Sequence, residues 1–586
     1  MTLSHLHLRF SLYALCLMMI VPFLNPHHYN PIPTFYQEWT AAGLGLLAAT
    51  LLLQRDILAR IRLPAIGLAP LGLGALLLIQ FALGRVEFLT QGLVFLLFLL
   101  WAILLIVLGR TLRDELGIDG LVKPLATALL TGACLAALLQ GIQLAGILPI
   151  DALIFTRAGG GGSSNLGQTN HLANYLWLGL ASALYLRAQG HLGRITFVVL
   201  AIALVASASL TGSRSVLLYA IGFALLSGWA AWRTRHPALR EMFRLALFLC
   251  ATTLILQPAF AFFEIGKMAG ATLSGERFYQ EVGSTSQRLQ LWRTGLAIFM
   301  DHPWLGAGIG QFPWQAYLLV GSQPDGTFIG GGEHAHNLFI DLLAEFGLFA
   351  PLLVAGLTLR WWLAFTRQPW TAAHGWLAAV LLVLATHSQL EYPLWYAFFL
   401  GIAALALGAG STTRFQPKIT RLSRPIMALV FLLGAMTLFN LFVDYRKLEH
   451  ALNWQLQPAE NQPTWHKTLD TLSQLHGESL FSHYVDLVYG YQLLPDREAL
   501  KEKILACERA IRFSPIDRTS YKLAFLLALD GQKEEARQAL QRALAAHPQK
   551  RDEMLGQLKG LRTTTPESDS ELALLVKQMD AAKTQP

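Results

Sequence analysis

The sequence predicts an all-α polytopic membrane protein with about thirteen transmembrane helices, a large periplasmic loop and a C-terminal TPR-like helical domain. Three observations carry that prediction. Of 586 residues, 54% are hydrophobic and only 14% are charged, too apolar for an ordinary soluble protein. Apolar runs long enough to cross a bilayer recur along the chain, joined by short loops. Basic residues gather in alternate loops, and unusual polar clusters gather in the others.

A helix needs about 20 mostly apolar residues to cross the hydrocarbon core. Candidate spans run over 10–24, 41–53, 66–83, 88–108, 125–148, 172–186, 195–210, 216–232, 245–263, 338–360, 376–386, 394–407 and 426–443. The 41–53 and 376–386 segments are short, which suits tilt, extension or partial re-entry. Lys and Arg in the short loops set the orientation. With the N-terminus cytoplasmic, the inner loops hold Arg55, Arg60 and Arg62, then Arg110, Arg113 and Lys123, then Arg187 and Arg194. Further along they hold Arg233, Arg235, Arg240, Arg244, Arg360, Arg367, Arg414, Lys418, Arg421 and Arg424. The outer short loops hold only Arg85, Arg157 and Arg214. An odd span count then puts the C-terminal segment outside. The net charge of +8 is mostly this topogenic charge and does not signal nucleic-acid binding. Arg9 precedes the first span, and Asn25-Pro26-His27-His28 follows it in place of a small-residue cleavage site, so the span reads as a retained anchor. The cysteines, Cys16, Cys134, Cys250 and Cys507, offer neither a disulfide framework nor a CxxC zinc pattern.

These segments divide the chain into an N-terminal transmembrane bundle (1–263), a large outer loop (264–337), C-terminal transmembrane helices (338–443) and a soluble helix-rich tail (444–586). A glycine run at 159–162 lacks the following Gly-Lys-Ser/Thr of a P-loop. Within the large loop, the apolar spacing of 287–300 reads as a helix near the membrane surface. In the tail, Ala510-Ile511-Arg512-Phe513-Ser514-Pro515 is echoed by Ala543-Leu544-Ala545-Ala546-His547-Pro548. That spacing approaches the roughly 34-residue tetratricopeptide period, and such a hairpin serves either partner contact or structural packing.

Several motifs carry chemistry. Glu333-His334-Ala335-His336-Asn337 stands where the large loop enters a span. A histidine there suits a general base near neutral pH, with Asn337 orienting it or a phosphate. Interfacial snorkelling with helix capping is the plainer reading, and a metal site completed by Glu333 and His387 is a third. Arg214 sits in a short turn between spans, where it either anchors a helix end or binds an anion. Arg277, Arg288 and Arg293 lie in the large loop, and two or three guanidinium forks facing one cavity suit a diphosphate. Gln168 and Asn170 lie in a neutral hydrogen-bonding loop; Thr169 or Asn170 would equally cap the span beginning near Leu172. Tyr392 precedes Pro393 at a span end, where interfacial tyrosine is commonplace.

Taken in order, these motifs resemble the bacterial protein O-oligosaccharyltransferases of the PglL type, often called pilin glycosyltransferases, within the wider superfamily of O-antigen ligases and polymerases. The N-terminal part of the resemblance rests on Pro22-Phe23-Leu24-Asn25-Pro26-His27-His28-Tyr29-Asn30-Pro31 and Phe35-Tyr36-Gln37-Glu38-Trp39. Gly167-Gln168-Thr169-Asn170-His171 is similar to the second motif. Ser286-Gln287-Arg288-Leu289-Gln290-Leu291-Trp292, Pro303-Trp304-Leu305-Gly306-Ala307-Gly308, His334-Ala335-His336-Asn337-Leu338 and Leu343-Ala344-Glu345-Phe346-Gly347 resemble the ligase core, which would span about residues 195–410. His387-Ser388-Gln389-Leu390-Glu391-Tyr392-Pro393-Leu394-Trp395-Tyr396 resembles the last motif.

The resemblance implies that His336 is the essential histidine, that Arg214 and Arg288 hold a lipid diphosphate, and that Gln168 and Tyr392 matter in the protein-glycosylating branch. Asn337, Asn170, His334, Glu333, Arg277 and Arg293 complete the candidate substrate-binding set. Thr169 stands where proline is frequent in relatives, which bears on loop geometry. The implied donor is a polyprenyl-diphosphate-linked oligosaccharide, the acceptor a Ser or Thr of a periplasmic or pilin-type protein, and the reaction inverting and metal-independent. The setting is the bacterial inner membrane with the active face periplasmic, membrane lipid as partner and no nucleic acid. The rivals are an O-antigen ligase with a lipid A-core acceptor, an O-antigen polymerase and, outside enzymology, a transporter or flippase. The polar motifs collect on one face, no acidic or histidine relay runs through the predicted spans, and no inverted repeat is evident, which disfavours transport.

Overall fold

The computed structural model describes residues 3–146, 162–265, 287–320, 332–412, 414–415, 420–454, 459–564 and 569–582. Over these the chain is helical, apart from one short antiparallel pairing of Leu63 with Phe415 and Pro64 with Arg414. Among the described residues, seven helices are long and apolar enough to cross a membrane. They are Leu6–Leu24, Ala65–Ala82, Leu89–Ala145, Ser215–Thr234, Pro237–Phe262, Phe349–Thr366 and Ser423–Leu452.

Seven replaces the expected count of about thirteen, and each difference has a cause. The segments 88–108 and 125–148 lie in one uninterrupted stretch, Leu89–Ala145, in which two helices meet directly across a kink at Gly117 (φ 70°, ψ 165°) with no intervening loop. Its charged middle stays helical because those charges are satisfied there. Arg110 pairs with Asp114 at 2.6 Å, and Arg113 donates to Ala409 O at 2.7 Å and Gln368 Oε1 at 2.6 Å. The 41–53 segment is the 15-residue helix Phe35–Ala49 followed by a 3-10 turn, Thr50–Leu53. Arg194–Ser209, Ala372–His387 and Ala397–Gly410 have 16, 16 and 14 residues. At about 1.5 Å per residue they reach roughly 24 Å or less, short of a hydrocarbon core of about 30 Å. Thr169–Ala188 is buried from His171 to Leu186 and carries His171, Asn174 and Ser182, so it is an interior helix rather than a lipid-facing one. The 338–360 segment breaks at Gly347 (φ 73°) into Leu338–Phe346 and Phe349–Thr366.

The chain forms two compact units. The first comprises Met1–Gly72, Phe98–Ser284 and Leu353–Asn440. Its helices meet closely through glycine, as membrane bundles do. A Cβ at Gly408 would lie 2.0 Å from Ile106 O, and one at Gly109 would lie 2.3 Å from Leu405 O. The interior helix Thr169–Ala188 is locked by Tyr175, whose ring stacks on Phe23 at 3.9 Å and whose hydroxyl donates to Met19 O at 2.7 Å.

The second unit gathers three distant stretches, Leu73–Leu97, Thr285–Leu352 and Leu441–Pro586. Its tail winds through Trp465–Glu478, Ser482–Gln492, Leu500–Phe513, Asp517–Leu529, Lys533–Ala546, Arg551–Thr564 and Asp569–Ala581. The two echoed segments are tied directly: His547 Nε2 donates to Pro515 O at 2.8 Å, and Tyr521 donates to His547 O at 3.1 Å. The tail also holds the loop helix Phe312–Leu319, burying Tyr317 and Val320 against Ile511.

Candidate functional site

In the second unit, the Glu333–Asn337 motif is a tight turn leading into Leu338–Phe346. Asn337 is the N-cap, its side-chain oxygen accepting from Phe339 N at 3.1 Å and Ile340 N at 3.2 Å. That satisfies two of the donors every helix start leaves open. His336, immediately before it, has φ 54°, in the left-handed region that non-glycine residues rarely occupy. Such strain persists only where the surroundings impose it, and it clusters at functional sites. One turn into the helix, buried Asp341 accepts the Ala335 N–H at 2.6 Å through Oδ1. Burial pushes Asp341 up to about 7, against the opposing effects of the Ala335 N–H, the His336 charge and the Asn337 N–H. Burial pushes His334 down to about 3, helped by the nearby His336 charge, so His334 stays neutral at ordinary pH.

A second loop closes the far end of this helix. Ala307 N donates to Ala344 O at 2.9 Å, Gly308 N to Glu345 O at 3.1 Å, and Leu348 N to Pro303 O at 2.9 Å. Gln80 Nε2 reaches both Leu305 O and Glu345 O at 2.7 Å. Buried Glu345 turns the other way, toward the Phe312 and Gly310 backbone N–H groups, and burial followed by the Asp341 charge raises it to about 8. The motifs at 303–308 and 343–347 are thus two sides of one structure.

Gln287–Asp301 packs Leu291, Thr294, Gly295 and Ile298 inward, and a Cβ at Gly295 would meet Ile340 at 2.5 Å. Arg288 stands half-buried at the start of this helix, while Arg293 is exposed on another face. The tail reaches the same neighbourhood: Tyr484, on Ser482–Gln492, is raised by burial and then by the charge of Glu333.

In the first unit, the remaining motifs interlock. Gln37 Nε2 donates to Asn25 O and His27 O, both at 3.1 Å. His28 Nε2 donates to Asn165 O at 2.7 Å, and Asn165 Nδ2 donates to Leu24 O at 2.8 Å. Burial lowers the His28 pKa. Gly167 (φ 71°) brings its backbone against that ring; a Cβ there would stand 2.9 Å from His28 Cε1. Gln168 is the residue preceding Thr169–Ala188 and is half-buried. Asn170 Nδ2 donates to buried Glu391 Oε1 at 2.7 Å, joining the second motif to the last. Tyr392 stacks on Tyr396, centroids 5.7 Å apart, and Tyr396 lies 4.8 Å from His171. Arg214 is the half-buried N-cap of Ser215–Thr234, between buried Ser213 and Ser215. That helix is anchored by the Tyr219 hydroxyl, 2.9 Å from His387 Nδ1.

The structure therefore brings Gln168, Asn170, Tyr392 and Arg214 into the first unit, and Arg288, Arg293, Glu333, His334, His336 and Asn337 into the second. Arg277 lies outside the described residues. Among the described residues, no three of His, Cys, Asp and Glu are grouped to hold a metal ion, so the His-x-His metal reading gains no ligand set. Sequence reasoning passed over Asp341, Glu345 and Glu391 as individual site residues. Their signal was available: carboxylates inside otherwise apolar runs are costly to bury and call for a reason.

Two family models match the chain, one described as O-Antigen ligase over residues 195–355, the other as Virulence factor membrane-bound polymerase, C-terminal, over residues 375–557. A General O-oligosaccharyltransferase of Acinetobacter baylyi is 25% identical over 555 residues, covering 91% of this chain and 92% of that protein. A ComP-specific O-oligosaccharyltransferase of the same organism is 24% identical over 413 residues, covering 70% of this chain and 73% of its own length.

Proposed function

We propose that this multi-pass membrane protein, a member of the superfamily of O-antigen ligases and oligosaccharyltransferases, moves a glycan en bloc from a polyprenyl diphosphate to Ser or Thr hydroxyls of periplasmic or pilin-type proteins. The observation that carries the reading is His336, held at positive φ between a capping Asn337 and a buried Asp341. The choice of a protein acceptor draws on the similarity to the two O-oligosaccharyltransferases, which for the first extends over nearly the whole chain.

A hydroxyl is a poor nucleophile at neutral pH. His336 takes its proton as the oxygen attacks the anomeric carbon, help typically worth about 10²–10⁴-fold in rate. The bond from that carbon to the diphosphate oxygen breaks and polyprenyl diphosphate leaves, inverting the anomeric configuration. Arg214 and Arg288 neutralise the diphosphate, a role suited to planar, permanently charged forks. Gln168 and Tyr392 orient the donor. With the N-terminus cytoplasmic, the odd number of long spans puts the 287–348 segment, after the fifth, and the 444–586 domain, after the last, in the periplasm.

The test is transfer by purified protein from a polyprenyl-diphosphate oligosaccharide to a Ser-bearing pilin-type acceptor, with EDTA present and His336→Ala alongside. The expected result is an intact-mass gain on the acceptor with wild type and none with the variant. Transfer only to lipid A-core, or no transfer to any acceptor, would overturn the reading. The C-terminal match to membrane-bound polymerases favours one second reading, with another lipid-linked glycan as acceptor; its signature is a lengthened lipid-linked chain and an unmodified protein.

A further inference from the structure

We infer that Asp341 is a positioning residue for His336: its buried carboxylate, by accepting the Ala335 N–H, holds the left-handed turn that presents the imidazole, and it supplies the negative charge the imidazole needs while carrying the acceptor's proton. The inference rests on the proposed role of His336 as general base and deepens it.

The geometry starts from the helix period. Asp341 lies five residues after His336, so Leu338–Phe346 carries its carboxylate back over the turn that Asn337 caps. The 2.6 Å bond to Ala335 N is of the short, charge-assisted kind. It fixes the residue immediately before His336, while the residue immediately after, Asn337, is fixed by accepting the Phe339 and Ile340 N–H groups. A left-handed His336 between two such clamps has little freedom to relax. Asp341 is 1% exposed, so its charge is little screened by water. The effect of the His336 charge on it is favourable. During transfer the proton passes from the hydroxyl to His336; Asp341 stays ionised and gains no bond.

The groups around Asp341 are few. Glu345 lies one turn further along the same helix, and Glu333, His334 and His336 lie on the turn. Gln287–Asp301, packed alongside, carries Arg288, Arg293 and Asp301, of which Arg288 is half-buried and the others exposed. Phe312–Leu319 contributes only Tyr317.

The test is Asp341→Asn, which keeps an acceptor oxygen for Ala335 and removes the charge. In the transfer assay kcat should fall about 10–100-fold, with KM for donor and acceptor within about threefold. Wild-type kcat should decline as pH falls, since the His336 base and the Asp341 carboxylate must both be unprotonated, and Asp341→Asn should displace that limb. A purely structural role would lower the melting temperature and leave the profile's shape unchanged. A variant with near-wild-type kcat and an unaltered profile overturns the inference. Should the variant not fold, Asp341→Glu, which keeps the charge but moves the carboxylate, is measured instead: a kcat profile displaced from wild type supports the inference, and one superimposable on wild type with unchanged kcat overturns it. Wild type and His336→Ala run beside it. An inactive wild type removes the functional reading and this inference together, whereas an active wild type with an inactive His336→Ala leaves the role of Asp341 as the one point the variant tests.

Discussion

Gly306→Ala is expected to be among the most damaging single-methyl changes in the second unit. Gly306 has φ 70°, and a Cβ there would stand 2.2 Å from Glu345 C, 2.3 Å from Glu345 O and 2.3 Å from Phe346 N. All three neighbours are backbone, so no side chain can swing aside. The left-handed conformation costs alanine about 1–2 kcal/mol. Relieving the overlap means lifting the loop, which breaks the Ala307–Ala344 and Gly308–Glu345 backbone bonds at about 1 kcal/mol each. A total of about 3–4 kcal/mol follows, at or above the upper end of what most single substitutions cost. For a unit of this size that lowers the melting temperature by roughly 10 °C. The assay is thermal unfolding of purified, detergent-solubilised protein, with transfer activity measured in parallel. Gly43→Ala is the control, since Gly43 lies mid-helix with nothing within 4 Å of an added Cβ; it should be neutral or stabilising by about 0.5–1 kcal/mol. A Gly306→Ala protein that melts with wild type and transfers normally would refute the argument that this loop holds the end of the Leu338–Phe346 helix.

Two further outcomes follow from the second unit. Asp341 and Glu345 are raised to about 7 and about 8, so the native state binds more protons than the unfolded chain across that range. Stability must therefore fall as pH rises toward 8. His334 and His483, each lowered to about 3, act the other way, but only below their unfolded values near 6.5. Lys522, lowered by burial to about 8, also opposes the acids, but only toward the top of the range, so the cleanest window is about pH 6.5 to 7.5, where melting temperature should drop with pH; Glu345→Gln should flatten that slope, and a melting temperature rising across the window contradicts the assignment. Ile511 is 1% exposed and buried against Tyr317 and Val320, so Ile511→Ala should cost about 2–5 kcal/mol. Because it loosens the loop helix Phe312–Leu319, it should reduce transfer to every acceptor alike; a change in acceptor preference alone would show that the tail acts only on acceptors.

The motifs that hold the candidate site residues were legible because they depend on residue type at short spacing. His334-x-His336-Asn337, Arg288 and the Gln168–Asn170 loop can be read without knowing the fold. The span count was not legible, since hydropathy cannot see partners. Arg110 and Arg113 looked like a loop because their charges seemed to need water, yet Asp114, Ala409 O, Gln368 and Ser411 O satisfy them inside helical structure. The break at Gly347 was hidden for a similar reason: the apolar run continues through it, and only the loop beginning at Pro303, far off in sequence, stops the helix. The second unit was equally hidden, because Thr90 meets Ser482 and His483 and Glu87 meets Arg512 across about four hundred residues of sequence, a pairing that no local pattern encodes.

The two acids of Leu338–Phe346 explain why this short helix is not simply a piece of membrane span. Burying Asp341 and Glu345 costs free energy that leucine would not. What they provide is acceptors. Turns with left-handed or irregular backbone cannot pair their own N–H groups in a helix or sheet, and buried N–H groups must be paired. Asp341 takes the Ala335 N–H, and Glu345 takes those of Phe312 and Gly310. One rigid helix thereby sets two loops, one at each end, with i, i+4 spacing keeping both carboxyls on one face. The arrangement also separates their tasks. Glu345 faces backbone and glycine, so its amide analogue should largely keep transfer. Asp341 faces the turn of His336, so loss of its charge reaches the chemistry. If Glu345→Gln lost as much kcat as Asp341→Asn at equal stability, the distinction between a carboxyl that shapes the loop and one that serves the histidine would fail.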